Sequence, residues 1–568
     1  MCHSFFTFFS LAAHLTHSHN DCLPTMQAAI NSLRTKGVLV LTPDDKDTRK
    51  EYERAIATNN LQFRFSRPEC VVQPENTSQV QAIVREARRR GIRLTIKCNG
   101  HSYAGFSTAF EGISLDLRRM NRVSLDMQRK VVTFDAGCQW GHVYSTLVNG
   151  RHVGWIINGG RCPTVGVGGF ILGGGLGPFT RSFGMGSDTL MEATMVTADG
   201  EVVTVSENDS PQSPKGRLFW ALRGAGQGSF GVVTEMKLKV QKLSNRDGTV
   251  VAGRYQWFPK DGITDEVLEA MNSFYTTDWP RNMTIDSTWM CDLRQSVGDG
   301  VRFIIAFDGS KPEYDRKIDR FIAHEELRKQ LKRRVLPEPS TRFLYETLVN
   351  QWMEETERAF PANKTYELFS SFVYTNEDKE KIQKITATIR ELMKEFRESF
   401  RGEQVAFFVT WIHAGGRATD FAPTDTAYFW REAVYHAYVT VEWVDKWMEL
   451  DMRLFLAKVK RALRPLSVNG EAAFLNFPDR DFPSKFYERA YFGGNADELR
   501  KVKKMWDKDN FFKYAQSVKR PEDPDEEPDQ ERKETEEDRT DRLASEAWAS
   551  YQIEDLDKTC EELADWGF

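Results

Sequence analysis

Apolar and polar residues alternate with different periods along the chain, and the changes of period divide it. Over residues 77–90, Val80, Ile83, Val84 and Ala87 fall at i, i+3, i+4 and i+7, which predicts an amphipathic helix stopped by Gly91. Ile92 to Ile96 is alternating and β-branched, reads as a strand, and runs into the sequence CNGHSYAG at Cys98 to Gly105. Short strands are predicted over Arg67 to Val72, Ile113 to Leu117 and Val131 to Phe134, with a helix over Gly141 to Leu147. Leu190 to Thr197 and Glu201 to Val205 flank Ala198-Asp199-Gly200, a hairpin turn. Leu218 to Gly231 is apolar and ends in a glycine-rich turn, and Val232 to Val240 alternates as a half-buried strand. This rhythm predicts an α+β unit that closes near residue 245.

From 246 to 469 glycine thins out, and strands such as Val301 to Phe307 and Val405 to Ile412 alternate with amphipathic helical runs at 380–399 and 442–464. Strands backed by helices form one wall of a pocket, so this unit is expected to hold substrate. Residues 470–518 return to the earlier style. There, Phe474 to Asp479 and Trp506 to Val518 supply short aromatic, β-like runs expected to cover an edge of the first unit. Residues 1–60 read as a polar leader with N-terminal elements. Residues 519–568 read as a Pro-, Glu- and Asp-rich disordered tail, with a weak terminal helix around Leu556, Leu563 and Trp566.

A length of 568 residues exceeds one ordinary core and fits this division. A net charge of −5 gives no bulk attraction to nucleic acid or to an anionic membrane. The basic cluster Arg85, Arg88, Arg89 and Arg90 sits on the predicted helix beside Glu86 and reads as a solvated face. The cysteines are scattered without a CxxC pair, which argues against a zinc or iron–sulfur site. Cys98 and Cys138 read as buried thiols, with a disulfide left open. Phe5 to Leu15 is mostly apolar and too short to span a bilayer. It lacks a basic lead but reads as a signal-peptide core. The expectation is a secreted, monomeric chain with sequons at Asn76, Asn208, Asn282 and Asn363.

The chemistry concentrates in two stretches. Gly159 to Pro178 reads GGRCPTVGVGGFILGGGLGP, with too much glycine for a helix, so turns are expected that bring backbone close to a ligand. Amide-rich concave turns hold phosphate. No Gly-Lys-Ser/Thr follows, which excludes a phosphate-binding loop of the nucleotidase type, and no acidic residue completes a dinucleotide fingerprint. His101 and Cys162 stand at the edges of the two stretches, where they are placed to touch a cofactor.

Together these motifs resemble the berberine bridge enzyme-like branch of the vanillyl-alcohol oxidase flavoprotein superfamily. The resemblance is close over about residues 60–245, clear over 470–518, and echoed between them by Ala414-Gly415-Gly416 and by Tyr435 to Trp443. It implies an FAD-binding domain in two parts, 61–245 and 470–518, around a sheet-and-helix substrate domain at 246–469. In that family a GGHS-type motif supplies a histidine bonded to the flavin 8α-methyl group. His101 matches it, with Asn99 in place of the usual first glycine. A CPTVG-type motif supplies a cysteine bonded to flavin C6, and Cys162 matches it. The implied cofactor is bicovalent FAD, with no metal. Asn99, Gly100, Ser102, Gly105, Thr164, Gly166, Gly168, Gly169, Gly173, Gly174, Gly175 and Gly231 are expected to approach it. Arg161 is expected either to stabilise negative charge or to pair with a carboxylate.

The resemblance also implies an oxidase that takes hydride from an oligosaccharide, aromatic alcohol or other specialised metabolite and reduces oxygen to hydrogen peroxide. The alternatives are a dehydrogenase with another acceptor and a flavin-binding protein that has lost catalysis. Relatives place a tyrosine base after an asparagine where this chain has Asn476-Phe477. The expected substitute is Tyr438, assisted by His436 two residues away on one strand face. Asp479 and His142 are weaker candidates, and Tyr144 is expected either to line the pocket or to fill the core. Trp411, Phe429, Trp430 and Trp443 are expected to stack on substrate rings or to fill a core.

Overall fold

The computed structural model describes residues 25–58, 60–354 and 365–525. The expected signal core, Asn363, residues 526–545 of the acidic tail and the terminal helix lie outside the described residues.

The first core starts as a β-α-β unit. Helix Thr77–Arg89 buries Val80, Ile83, Val84 and Ala87. Its start is fixed by Asn76 Oδ1, which accepts the Gln79 N–H at 3.0 Å. It stops at Gly91, whose φ of 65° is open to glycine at no steric cost. The flanking strands are β1 (Leu39–Leu41), β2 (Cys70–Gln73), β3 (Leu94–Lys97) and β4 (Ile113–Asp116), in the order β1-β2-β4-β3. Strands β2, β4 and β3 run parallel. A second, antiparallel sheet contains β5 (Val123–Asp126), β6 (Val131–Asp135), β7 (Trp155–Ile157), β8 (Leu190–Thr197), β9 (Val202–Ser206) and β10 (Gly231–Lys242). Gly200, at φ 75°, closes the β8–β9 hairpin.

The third sheet is antiparallel with seven strands: β11 (Thr249–Trp257), β12 (Met283–Asp292), β13 (Gly300–Phe307), β14 (Leu336–Pro339), β15 (Tyr366–Tyr374), β16 (Val405–His413) and β17 (Tyr435–Trp443). Their order is β14-β11-β13-β12-β16-β17-β15. Strands β12, β15 and β17 are buried at every position, because both faces of the sheet are covered. Helices Asp265–Tyr275, Lys379–Ser399 and Glu449–Leu463 share a core with one face, represented on β17 by Tyr435, Ala437, Val439, Val441 and Trp443. The opposite face carries polar groups, including Asp286, Thr410, His436, Tyr438 and Thr440.

Residues 473–518 pack on the first core through Ala473, Leu475, Tyr487, Phe512 and Val518. Lys503 Nζ, fully buried, donates to Ser229 O at 2.7 Å, to Phe512 O at 2.8 Å and to Asp507 Oδ2 at 2.7 Å.

Several expectations need correction. The glycine-rich stretch is not all turns: Val167–Leu172 is helical, and of its two internal glycines Gly168 lets Cys98 Sγ and Ala136 O approach closely. The helical run expected at 442–464 starts only at Glu449, because residues 442–443 finish β17. Phe474 to Asp479 and residues 507–518 form turns rather than strands, and their polar groups bond to side chains and loops.

Candidate active site

A cavity of about 520 Å³ lies where the glycine-rich segments, the large sheet and the C-terminal segment meet. That volume falls within the ~300–1,000 Å³ range of small-molecule and cofactor sites. It is lined from Arg93 to Ile96, along the loop from Cys98 to Thr108, and by Gly160 to Cys162, Gly228, Gly231, Ile412, Tyr438, Phe474 to Pro478 and Phe512 to Ala515.

His101 and Cys162 both line this cavity. The His101 loop is held from its other side. Asn99 Nδ2 donates to Gly137 O at 3.1 Å, and Gln139 Nε2 donates to Asn99 Oδ1 at 3.1 Å. Gly100 then turns the chain at φ 79°. Gly166 and Gly168 pack against this loop: a Cβ at Gly166 would stand 3.0 Å from Asn99 Nδ2, and one at Gly168 would stand 2.7 Å from Cys98 Sγ. Gly169 has open space where a Cβ would stand. Cys162 is buried, with its Sγ 3.1 Å from Thr164 Oγ1. Cys98 and Cys138 are free thiols, so no disulfide joins them, and burial pushes their pKa up to about 11 and about 12. The cavity is lined by one imidazole, His101, and two thiols, Cys98 and Cys162.

Arg161 also lines the cavity, and of its two expected roles the structure shows pairing. Its Nε and Nη2 donate to the Asp286 carboxylate at 2.5 and 3.1 Å, and its Nη1 donates to Leu176 O at 2.5 Å. On the large-sheet wall, Tyr438 stands among rings. Its centroid is 4.6 Å from Phe477 and 5.9 Å from Tyr103.

The sequence matches fit this cavity. Residues 68–206 match a family described as FAD binding domain, and residues 473–519 match one described as Berberine and berberine like. The chain is 25% identical to tetrahydroberberine oxidase of Argemone mexicana over 82% of its length and 84% of that protein. Its fold superposes on berberine bridge enzyme from Eschscholzia californica with a TM-score of 0.72 at 20% identity, covering 87% of this chain and 99% of that one. Xylooligosaccharide oxidase from Myceliophthora thermophila C1, in complex with xylobiose, gives a TM-score of 0.71 at 21% identity, covering 87% and 100%. This chain is an FAD-linked oxidoreductase similar to the berberine bridge enzyme-like proteins.

The residues present fit FAD, because an imidazole and a thiol reach one cavity beside glycines that leave room for a ligand. Of the residues expected in this berberine bridge enzyme-like site, Asn99, Gly100, Ser102, Gly105, Gly166, Gly168, Gly169 and Gly231 line the cavity with His101, Arg161 and Cys162. Thr164, Gly173, Gly174 and Gly175 do not line it. The space beside Gly173 holds Asn476 and Gln227, Gly174 faces Met185, Phe474 and Tyr428, and Gly175 packs on Phe170.

His436 shares a face of β17 with Tyr438 but is not among the cavity-lining residues. Its Nε2 is 2.6 Å from the Tyr428 hydroxyl, and burial with the nearby Arg161 charge holds its pKa down to about 3. The weaker base candidates Asp479 and His142, and Tyr144, expected in the pocket or the core, are engaged elsewhere. Tyr144 donates to Gly160 O at 2.7 Å, Asp479 accepts from Ser370 and pairs with Lys460, and His142 caps a helix at the surface. Trp411, Trp430 and Trp443 are core residues away from the cavity, as is Phe429. Sequence reasoning passed over Tyr103, Trp352 and Gln227, all of which line the cavity. Tyr103 lies two residues beyond His101 in CNGHSYAG, so adjacency to the motif was the available signal.

Proposed function

We propose that this protein is an oxidase that holds FAD through bonds to both His101 and Cys162, takes hydride from an alcohol-bearing carbohydrate or specialised metabolite, and reduces oxygen to hydrogen peroxide. The observation that carries the reading is that His101, Cys162 and Tyr438, from three separate parts of the chain, line one cavity.

FAD, when bound, accepts the hydride and returns two electrons to oxygen. His101 and Cys162 would hold the cofactor, each N–H or S–H and a flavin C–H giving way to an N–C or S–C bond with loss of two protons, and oxygen would serve as the two-electron oxidant, leaving as hydrogen peroxide. An alcohol gives up hydride only as its hydroxyl proton departs. Tyr438 Oη is the group to take that proton. His436, neutral and bonded to the Tyr428 hydroxyl, lies behind the cavity wall. Phe477 and Tyr103 hold the phenol ring in place and exclude water from its faces. The ring-lined wall supports a substrate that presents a flat or ring-shaped face.

Acid denaturation followed by mass measurement tests the linkage: flavin should stay on the protein, and complete release would refute it. Tyr438→Phe should slow anaerobic flavin reduction by ~10²–10⁴-fold, and an unchanged rate would remove Tyr438 as the base. A panel of oligosaccharides, aromatic alcohols and polycyclic metabolites, scored by bleaching of the flavin, gives the substrate class. Peroxide yield under air then separates oxidase from dehydrogenase.

The proposal includes secretion as a glycosylated monomer. No helix of the described residues is long and apolar enough to cross a membrane. Asn208 is an exposed sequon, whereas Asn282 uses its Nδ2 to donate to Asp308 O at 2.8 Å. Glycosidase treatment of secreted material should therefore change the mass of the peptide that carries Asn208.

A further inference from the structure

His101 and Cys162 sit on loops that both lean on residues 137–144 of the first core, but beside Cys162 there is a further tie, to the large sheet. The His101 loop is tied through Asn99 to residues 137–139, within the first core. The Cys162 loop, residues 158–166, bonds to the same region: Gly141 N–H donates to Pro163 O at 2.8 Å, Trp140 N–H to Val165 O at 3.1 Å and the Tyr144 hydroxyl to Gly160 O at 2.7 Å, with an isolated bridge between Gly166 and Gln139. Next to the cysteine, Arg161 reaches across the cavity wall to Asp286 in the middle of β12. Asp286 is fixed in turn: its Oδ1 also accepts the His413 N–H from β16 at 2.8 Å. Both members of the ion pair are buried, at 6% and 3% exposure, so the fork-to-carboxylate geometry is little screened by solvent. Arg161 Nη1 extends the restraint to Leu176 O, beyond the glycine helix.

A sulfur that must come within bonding reach of a ring carbon needs its backbone placed to a fraction of an ångström, about 0.5 Å for a reactive geometry. Glycine at 159, 160 and 166 gives the loop little stiffness of its own.

We infer that the Arg161–Asp286 ion pair is the positioning device for Cys162, fixing the thiol against the large sheet so that the second flavin bond forms independently of the first. The inference rests on the bicovalent reading above. It concerns the exchange in which Cys162 S–H and a ring C–H become one S–C bond, two protons leave, and oxygen takes the electron pair as peroxide. Arg161 and Asp286 are positioning residues here and take no part in that exchange. The structure makes the effect asymmetric: loosening this clamp leaves the Asn99 anchor of His101 intact.

The test compares wild type, Asp286→Asn, His101→Ala and the double variant, each expressed in full length and loaded with FAD. Flavin remaining after acid denaturation and adducts on the Cys162 and His101 peptides are measured together. His101→Ala should keep its flavin through Cys162. Asp286→Asn should keep flavin on His101, which shows that the chain folded and seated the cofactor, while the Cys162 peptide becomes at least tenfold poorer in adduct and open to alkylation. The double variant should release nearly all flavin on denaturation. Arg161→Lys keeps the charge and loses the two-pronged geometry, so it should give the same selective loss to a smaller degree, and Asp286→Glu should recover part of the adduct. Full Cys162 occupancy in Asp286→Asn would overturn the inference while leaving the bicovalent reading intact. Complete flavin release from His101→Ala alone would overturn both. Equal loss of the two bonds in Asp286→Asn would show that the anchors are not separate, and the inference would fall.

Discussion

A histidine enclosed by protein does not titrate where histidines in water do. His436 is 1% exposed. The Tyr428 hydroxyl beside it also donates to Trp430 O at 2.8 Å, so the hydrogen-bond network assigns the imidazole proton to Nε2, donating to the Tyr428 oxygen. Burial first, and Arg161 second, lower its pKa from 6.5 to about 3. In the unfolded chain the same imidazole binds a proton near pH 6.5, so the unfolded state holds more protons between 6.5 and about 3. This group's contribution to stability is therefore intact above pH 6.5 and is lost progressively as pH falls through that window. His436→Phe removes the effect. Between pH 6.5 and about 5 the wild type should lose about 2 kcal/mol more than the variant, measured from denaturant midpoints at each pH. Parallel curves would contradict the buried-neutral assignment. At this scale the motifs pointed to two side chains, His101 and Cys162, that do line the cavity. The sequence was less informative for glycines, because close approach to a ligand and close packing on Asn476 or Phe170 ask for the same residue.

Elements were legible where one face was polar and obscure where both faces were covered. Helix Thr77–Arg89 shows its period in the sequence, because its outer face meets water. Strand β17 is buried throughout, so the chain reads on from strand to helix without a break, and only the turn around Lys446–Met448 separates them. The C-terminal segment was legible by its aromatic residues, but what holds it there was not. That role falls to Lys503 on helix Ala496–Trp506, since its ammonium binds Ser229 O, Phe512 O and the Asp507 carboxylate with all groups out of water. Such a cluster resists loss of one member, because the remaining charge stays buried without compensation. Lys503→Met should destabilise by ~3–5 kcal/mol, visible as a lowered thermal midpoint and easier proteolysis near residues 507–518. Lys503→Met combined with Asp507→Leu should recover much of the loss, and a double variant as unstable as the single one would show that the backbone acceptors dominate.

At the scale of the whole molecule, the cavity joins segments that are far apart in sequence: residues 93–108, 160–176 and 227–233 of the first core, Ile412 and Tyr438 of the large sheet, and 474–478 and 512–515 of the C-terminal segment. A cofactor seated there binds the folded state and not the unfolded one, so it stabilises every element that lines the site by mass action. Covalent attachment hides this linkage, because the cofactor cannot be diluted away. Replacing both nucleophiles, His101→Ala with Cys162→Ala, should uncover it. Apparent stability should then rise with free FAD, by about 2.7 kcal/mol at a hundredfold excess over Kd. Because the lining is shared, hydrogen exchange should slow on FAD addition in all three regions together: the loop at 98–108, strands β16 and β17 near Ile412 and Tyr438, and the turn at 512–515. Protection confined to the first core would mean that the large sheet and the C-terminal segment close over the cofactor without being stabilised by it. In that case Tyr438 would face a wall that moves independently of the flavin, and its placement as the proton acceptor would lose its structural basis.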